Sequence, residues 1–156
     1  MFREMRRKKQ QIPDNEAIAI LENSKVGILA VNGDSGYPYT VPLNYMFYNG
    51  KIYFHGAKSG HKIDAIKNCD KVSFCVYDKG YRKENDWALN IKSVIVFGRV
   101  RFVEDQDTIN QICTNMCDKF TDDKEYAKVE LSKCGSSVLC LEVNPEHITG
   151  KLVNES

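Results

Sequence analysis

The stretch that decides the fold is Ile52-Tyr53-Phe54-His55-Gly56-Ala57-Lys58-Ser59-Gly60-His61-Lys62-Ile63-Asp64-Ala65-Ile66. It begins as a strand, because β-branched and aromatic residues follow directly on the turn pair Asn49-Gly50. It ends as a helix, with Ile63 and Ile66 spaced for one face. Between them Gly-Ala-Lys-Ser-Gly is a loop of small residues that lets a ligand approach the backbone. Ser59 is the expected N-cap, which puts Gly60, His61 and Lys62 in the first helical turn. Cations are disfavoured at the positive end of a helix, where Glu is the ordinary choice. An anion seated on the turn removes that conflict, held by unpaired N–H groups, by Lys58 and Lys62, and by His61. The stretch reads as strand, phosphate cradle, helix; without an anion it is a solvated and slightly unfavourable helix start.

The rest of the chain is scaffold for this unit. At 156 residues, 42% hydrophobic and 28% charged, it is expected to form one domain with a real core. Residues 1–12 read as a basic arm, and 13–156 as the domain. A net charge of +1 supplies no field for nucleic acid or a membrane surface. The start, Met1-Phe2-Arg3-Glu4-Met5-Arg6-Arg7-Lys8-Lys9, has no apolar signal-peptide run, and nothing approaches the length of a membrane span, so the expected compartment is the cytoplasm. Cys69, Cys75, Cys113, Cys117, Cys134 and Cys140 form no C-x-x-C pair. With His55, His61 and His147 at no ligand spacing, the expectation is free thiols and no metal.

Asp14 is the expected cap of a first helix with Ala17, Ile18, Ile20 and Leu21 inside. Val26–Val31 reads as a strand, and Asn32–Gly36 as a hairpin loop. Tyr37–Tyr48 reads as one long second strand, at an edge or bulged, because Pro38 and Pro42 cannot donate to a ladder. A bulge bares backbone groups, which singles out Pro42-Leu43-Asn44. Strands are expected at Ile52–His55, Val72–Tyr77 and Ile91–Val103, the last bent at Gly98. Asp78–Asp86 is a charged loop. Helices follow over Gln106–Phe120 and Asp122–Leu131, then a strand Ser137–Val143 and an extended piece His147–Lys151. Six short strands without βαβ alternation predict a mainly β fold, a Greek-key barrel with peripheral helices.

Gly36–Asn44 followed by Gly50–Lys62 resembles the FMN-binding split-barrel superfamily, that of pyridoxamine 5′-phosphate oxidase, and its nitroimidazole-resistance (Nim-type) branch in particular. Met5-Arg6-Arg7-Lys8, Ser93–Gly98 and Ile148-Thr149-Gly150-Lys151 add to the resemblance, which covers nearly the whole chain in order. It implies a six-stranded split barrel and a homodimer with FMN at the interface. It implies that His55 and Gly56 flank the cofactor, that Ala57, Lys58, Gly60, His61 and Lys62 hold its phosphate, that Val41, Pro42, Leu43 and Asn44 run beside the isoalloxazine edge, and that Ser93 contacts the ring. The oxidase pattern's arginine near Val41 and lysine near Met46 are absent, and His61 stands where it has arginine. The resemblance therefore carries over flavin binding, by FMN or FAD, and not vitamin B6 oxidation.

The expected function is a flavin-dependent oxidoreductase passing electrons from NAD(P)H to a small acceptor such as a nitroaromatic. A flavin-storing or sensing protein and a haem-binding split barrel are the alternatives. His55 is the candidate proton donor, or packs against the cofactor. Trp87 and Tyr81 either cover a substrate pocket or belong to the core or a dimer contact.

Overall fold

The computed structural model describes the backbone of residues 1–134 and 138–153, and all of their side chains except those of 133 and 134. Eight strands and four α-helices are present among the described residues: α1 Asp14–Asn23, β1 Val26–Asn32, β2 Pro38–Asn44, β3 Met46–Tyr48, β4 Lys51–Gly56, α2 His61–Asn68, β5 Lys71–Tyr77, β6 Tyr81–Arg82, β7 Leu89–Val103, α3 Gln106–Phe120, α4 Lys124–Cys134 and β8 Leu139–Val153. All pairings are antiparallel, in the order β2-β1-β5-β7-β8-β4-β3, with β6 alongside β7. The two outermost strands of that order, β2 and β3, are consecutive in the chain. Joining them curls the sheet on itself, and the result is a split β-barrel.

The joint is Tyr45. The expected single strand Tyr37–Tyr48 breaks there, because Tyr45 turns inward and is fully buried. Its hydroxyl donates to the Leu21 carbonyl at 2.6 Å, and its N–H donates to Lys25 O at 3.2 Å. From α3, Lys119 donates to Ser24 O (2.6 Å) and Tyr45 O (3.1 Å), tying that helix to the corner.

β2 is an edge strand without a bulge: its register against β1 runs unbroken from Val26↔Asn44 to Asn32↔Pro38. The bulge expected at Pro42 is unnecessary, for a reason of phase. Tyr45 N–H and Tyr37 O both bond toward β1, so odd-numbered residues of β2 face the ladder and even-numbered ones face away. Pro38 and Pro42 fall on the outward phase, where no ladder donor is missed.

A bend does occur at Gly98, where the β7–β8 register shifts between Phe97↔His147 and Gly98↔Pro145. A Cβ at Gly98 would lie 2.5 Å from the Asn144 carbonyl oxygen. β8 unites the two pieces expected at Ser137–Val143 and His147–Lys151, because Pro145 sits at that irregularity; Ser137 lies outside the described residues. The Asn49-Gly50 turn has both φ angles positive, as a tight hairpin requires.

The core fills the barrel with Leu29, Phe54, Phe74, Val94, Val96 and Leu141, all fully buried, and α2 plugs one end with Ile63, Ala65 and Ile66. α1 is capped by Pro13 rather than Asp14, which instead lies in the first turn beside Glu16, where acidic residues suit the helix dipole. A second cluster, with Tyr53, Cys140, Ile112, Cys113 and Met116, packs α3 on the outside. Beside it Glu142, 2% exposed, accepts from Arg101 (2.6 and 2.9 Å), Lys51 (2.9 Å) and Tyr53 (3.0 Å). Burial alone would raise the Glu142 pKa; these donors outweigh it and hold the carboxyl down to about 2. Among the described residues no helix is long and apolar enough to cross a membrane.

Candidate functional site

The barrel is open between β2 and β4. β3 pairs with β4 only from Lys51 to Tyr53, so Phe54, His55 and Gly56 run past the start of β3 with no strand on that side. Opposite them lies the free edge of β2. Its outward phase offers the carbonyls of Pro38, Thr40, Pro42 and Asn44, and the N–H groups of Thr40 and Asn44 alone, since proline has none. Val41 and Leu43 turn their side chains onto the core. One end of the split is closed by Tyr45. The other is closed by His61, whose ring packs on Tyr39 with centroids 4.3 Å apart.

The loop Ala57–Gly60 is exposed and leads into α2. The N-cap is Gly60, not Ser59. Gly60 has φ +121°, a conformation costly for any side chain, and no side chain caps the helix. Gly60 O takes the Ile63 and Asp64 N–H groups at 2.9 and 3.1 Å. The earlier N–H groups of the turn are among those a helix start leaves without an internal acceptor. Lys62 bends back over the end of β4: its Nζ lies 3.4 Å from where a Cβ on Gly56 would be. A cation, a glycine-lined backbone and an uncapped helix start therefore share one corner of the split, as an anion site requires.

His61 is committed elsewhere in the same corner. Asp34 N–H donates to its Nε2 at 3.4 Å, and the Asp34 carboxylate lies 3.5 Å away. Neither Asp34 nor Tyr39 stands out in the sequence as a partner of His61, because the contacts join segments more than twenty residues apart. His55 lies at the exposed end of β4, cross-strand from Cys140. Partial desolvation lowers its pKa; Glu130 on α4 opposes that shift, and Lys62 adds to it. Glu130 is a neighbour that sequence reading missed, since α4 reaches the site only through tertiary packing.

Val41, Pro42, Leu43, Asn44, His55, Gly56, Ala57, Lys58, Gly60, His61 and Lys62 thus line or flank one split. Ser93 does not join them within a chain. It is half-buried on β7 opposite Lys151 of β8, whereas His55 pairs with Cys140, so about 35 Å of extended strand separates the two positions. Tyr81 and Trp87 are exposed, on the hairpin that β6 makes with β7. A separate groove of about 810 Å³ lies on the outer face of the sheet, against Val26, Ile28, Pro42, Cys75 and Tyr77 and below α1. It touches the split only through Pro42. Among the described residues no group of three His, Cys, Asp or Glu side chains is placed to hold a metal.

A family model described as pyridoxamine 5′-phosphate oxidase matches residues 13–152. Among solved structures, a candidate 5-nitroimidazole antibiotic resistance protein of Bacteroides thetaiotaomicron superposes with a TM-score of 0.78 at 20% identity, over 92% of this chain and 87% of that one. An FAD-binding protein of Mesorhizobium loti gives 0.67 at 22% identity, over 92% and 97%. The FAD and haem binding protein of Mycobacterium smegmatis gives 0.73 at 16% identity, over 96% and 75%. At these identities the likeness is one of fold. No curated protein matches.

Proposed function

The chain belongs to the pyridoxamine 5′-phosphate oxidase family, and from that premise we propose that it is a cytoplasmic flavoprotein holding FMN, or FAD, in the split between β2 and β4. Bound there, the flavin supplies hydride transfer between NAD(P)H and a small acceptor such as a nitroaromatic. The observation that carries this reading is the convergence of two complementary edges on one gap. At one end stand Lys62, Lys58 and the uncapped start of α2, which suit a phosphate. Along the side, the free edge of β2 alternates carbonyls with two N–H groups, which suits the mixed donor and acceptor rim of an isoalloxazine.

The protein's own part is to bind, orient and exclude water. Lys62 fixes the phosphate, and Gly56 and Ala57 let it approach the backbone. Pro42 and Asn44 present their carbonyls, and Asn44 its N–H, to the ring. His55, whose pKa desolvation lowers, stands at the end of β4 beside the gap and would exchange a proton with a flavin held there. Ser93 serves the site from a second copy. The outward face of β1, β5 and β7 carries Val26, Tyr77, Ile95 and Phe97, between 39% and 61% exposed, with Phe2 stacked on Phe97, and a homodimer would bury it.

The test is the absorption spectrum of the untreated protein, followed by mass identification of what it releases. Paired flavin bands and released FMN or FAD are expected. A single intense haem band, or a colourless protein that takes up no flavin, would overturn the reading.

A further inference from the structure

Five cations crowd the first nine residues: Arg3, Arg6, Arg7, Lys8 and Lys9. They do not sit on a loose tail. Phe2 stacks on His147 at 4.8 Å and on Phe97 at 5.7 Å. At the other end Gln11 bridges to Lys151, and buried Ile12 donates its N–H to Gly150 O at 3.1 Å. Between these pins the chain folds through a 3-10 turn, closed by Gln10 N–H to Arg7 O (2.9 Å) and Gln11 N–H to Lys8 O (3.1 Å). The turn shapes a concavity of about 530 Å³ lined by Arg6, Arg7, Lys8, Lys9 and Gln10.

Lys8 pairs with Glu4 at 2.6 Å. Among the described residues no carboxylate lies within ion-pairing distance of Arg6, Arg7 or Lys9. Holding like charges together on a pinned turn costs Coulomb energy that an anion would offset. Arginine forks match phosphate oxygens in geometry as well as charge.

We propose that this arm is a second anion site, taking the phosphate or pyrophosphate of a small molecule and separate from the flavin cradle of its own chain. The two sites lie at opposite ends of β8: Gln11 meets Lys151, whereas Gly56 meets Leu139. The charge surrounds one concavity rather than forming a stripe along a face, and the whole chain carries only +1, which favours a small ligand over a nucleic acid.

The experiment is calorimetric titration with sodium pyrophosphate of the protein before and after saturation with FMN, repeated on R6Q/R7Q and on R3Q, whose position is outside the concavity. Wild-type protein should bind. R6Q/R7Q should lose about tenfold or more in affinity, R3Q should stay within about twofold, and FMN saturation should leave the binding in place. No binding by wild type overturns the proposal. So does a loss in R3Q equal to that in R6Q/R7Q, which would mean a diffuse field. Displacement of pyrophosphate by a short DNA duplex at lower concentration overturns it in favour of nucleic acid. Binding that disappears once FMN saturates the protein places pyrophosphate in the cradle, which removes the arm site and leaves the flavin reading standing. A wild type that binds no FMN yet still binds pyrophosphate through Arg6 and Arg7 would sink the flavin reading alone.

Discussion

Lys62→Ala takes from the cradle the ammonium that hangs over Gly56. A charge-assisted phosphate contact is worth roughly 1.5–3 kcal/mol, so FMN affinity should fall on the order of ten- to a hundredfold in a fluorescence titration. An unchanged Kd would remove Lys62 from the site. Glu142 tests the scaffold instead. Its folded pKa, about 2, lies below the ordinary 4.5, so the carboxylate stabilises the fold above that ordinary value and loses the contribution as pH falls from 4.5 through about 2. A shift of that size corresponds to about 3 kcal/mol. Glu142→Gln should lower the urea midpoint at pH 7, and the gap to wild type should close across that acid window. A gap that persists at pH 2 would mean that packing, not charge, is lost.

At the scale of elements, the close backbone approach at Gly98 tests how the barrel bends. Gly98→Ala puts a methyl 2.5 Å from the Asn144 carbonyl, which is backbone and cannot swing aside. The expected cost is about 1–3 kcal/mol, read as a drop of several degrees in Tm. No change would show that β8 is free to retreat. Gly98 was legible because a glycine inside an apolar strand signals a bend, and Asn49-Gly50 because that pair selects one kind of turn. The break at Tyr45 was not legible. Asn44 is only a weak turn signal inside an apolar run, and what fixes the break is a hydroxyl bonded to Leu21, twenty-four positions away. Pro145 hid the unity of β8 in the same way: proline reads as a stop, yet at a register irregularity no ladder N–H is required of it. The cap falls on Gly60, one residue after the expected Ser59. The sequence favours the hydroxyl, whereas the backbone, at φ +121°, demands the glycine.

For the whole molecule, the positive charge at an uncapped helix start was legible, because that conflict is local. The gap facing it was not, because it exists only once β2 and β4 diverge from Tyr45. Ser93 extends the point beyond one chain: if a partner carries it to the flavin, dilution to monomer should release the cofactor. Ultracentrifugation followed at flavin wavelengths should show absorbance leaving the protein as the dimer dissociates. A monomer that keeps its colour would confine the pocket to a single chain.

The two prolines of β2 bear on how this protein survives at high concentration. An unpaired strand border is the common seed of fibrils, since an arriving chain can zip its amides along it. Here two of the four outward rungs, Pro38 and Pro42, have no hydrogen to give, so such a zipper fails after a single step. A flat ring with a few polar atoms needs only scattered rungs and is not turned away. The border that would admit the proposed coenzyme refuses a polypeptide.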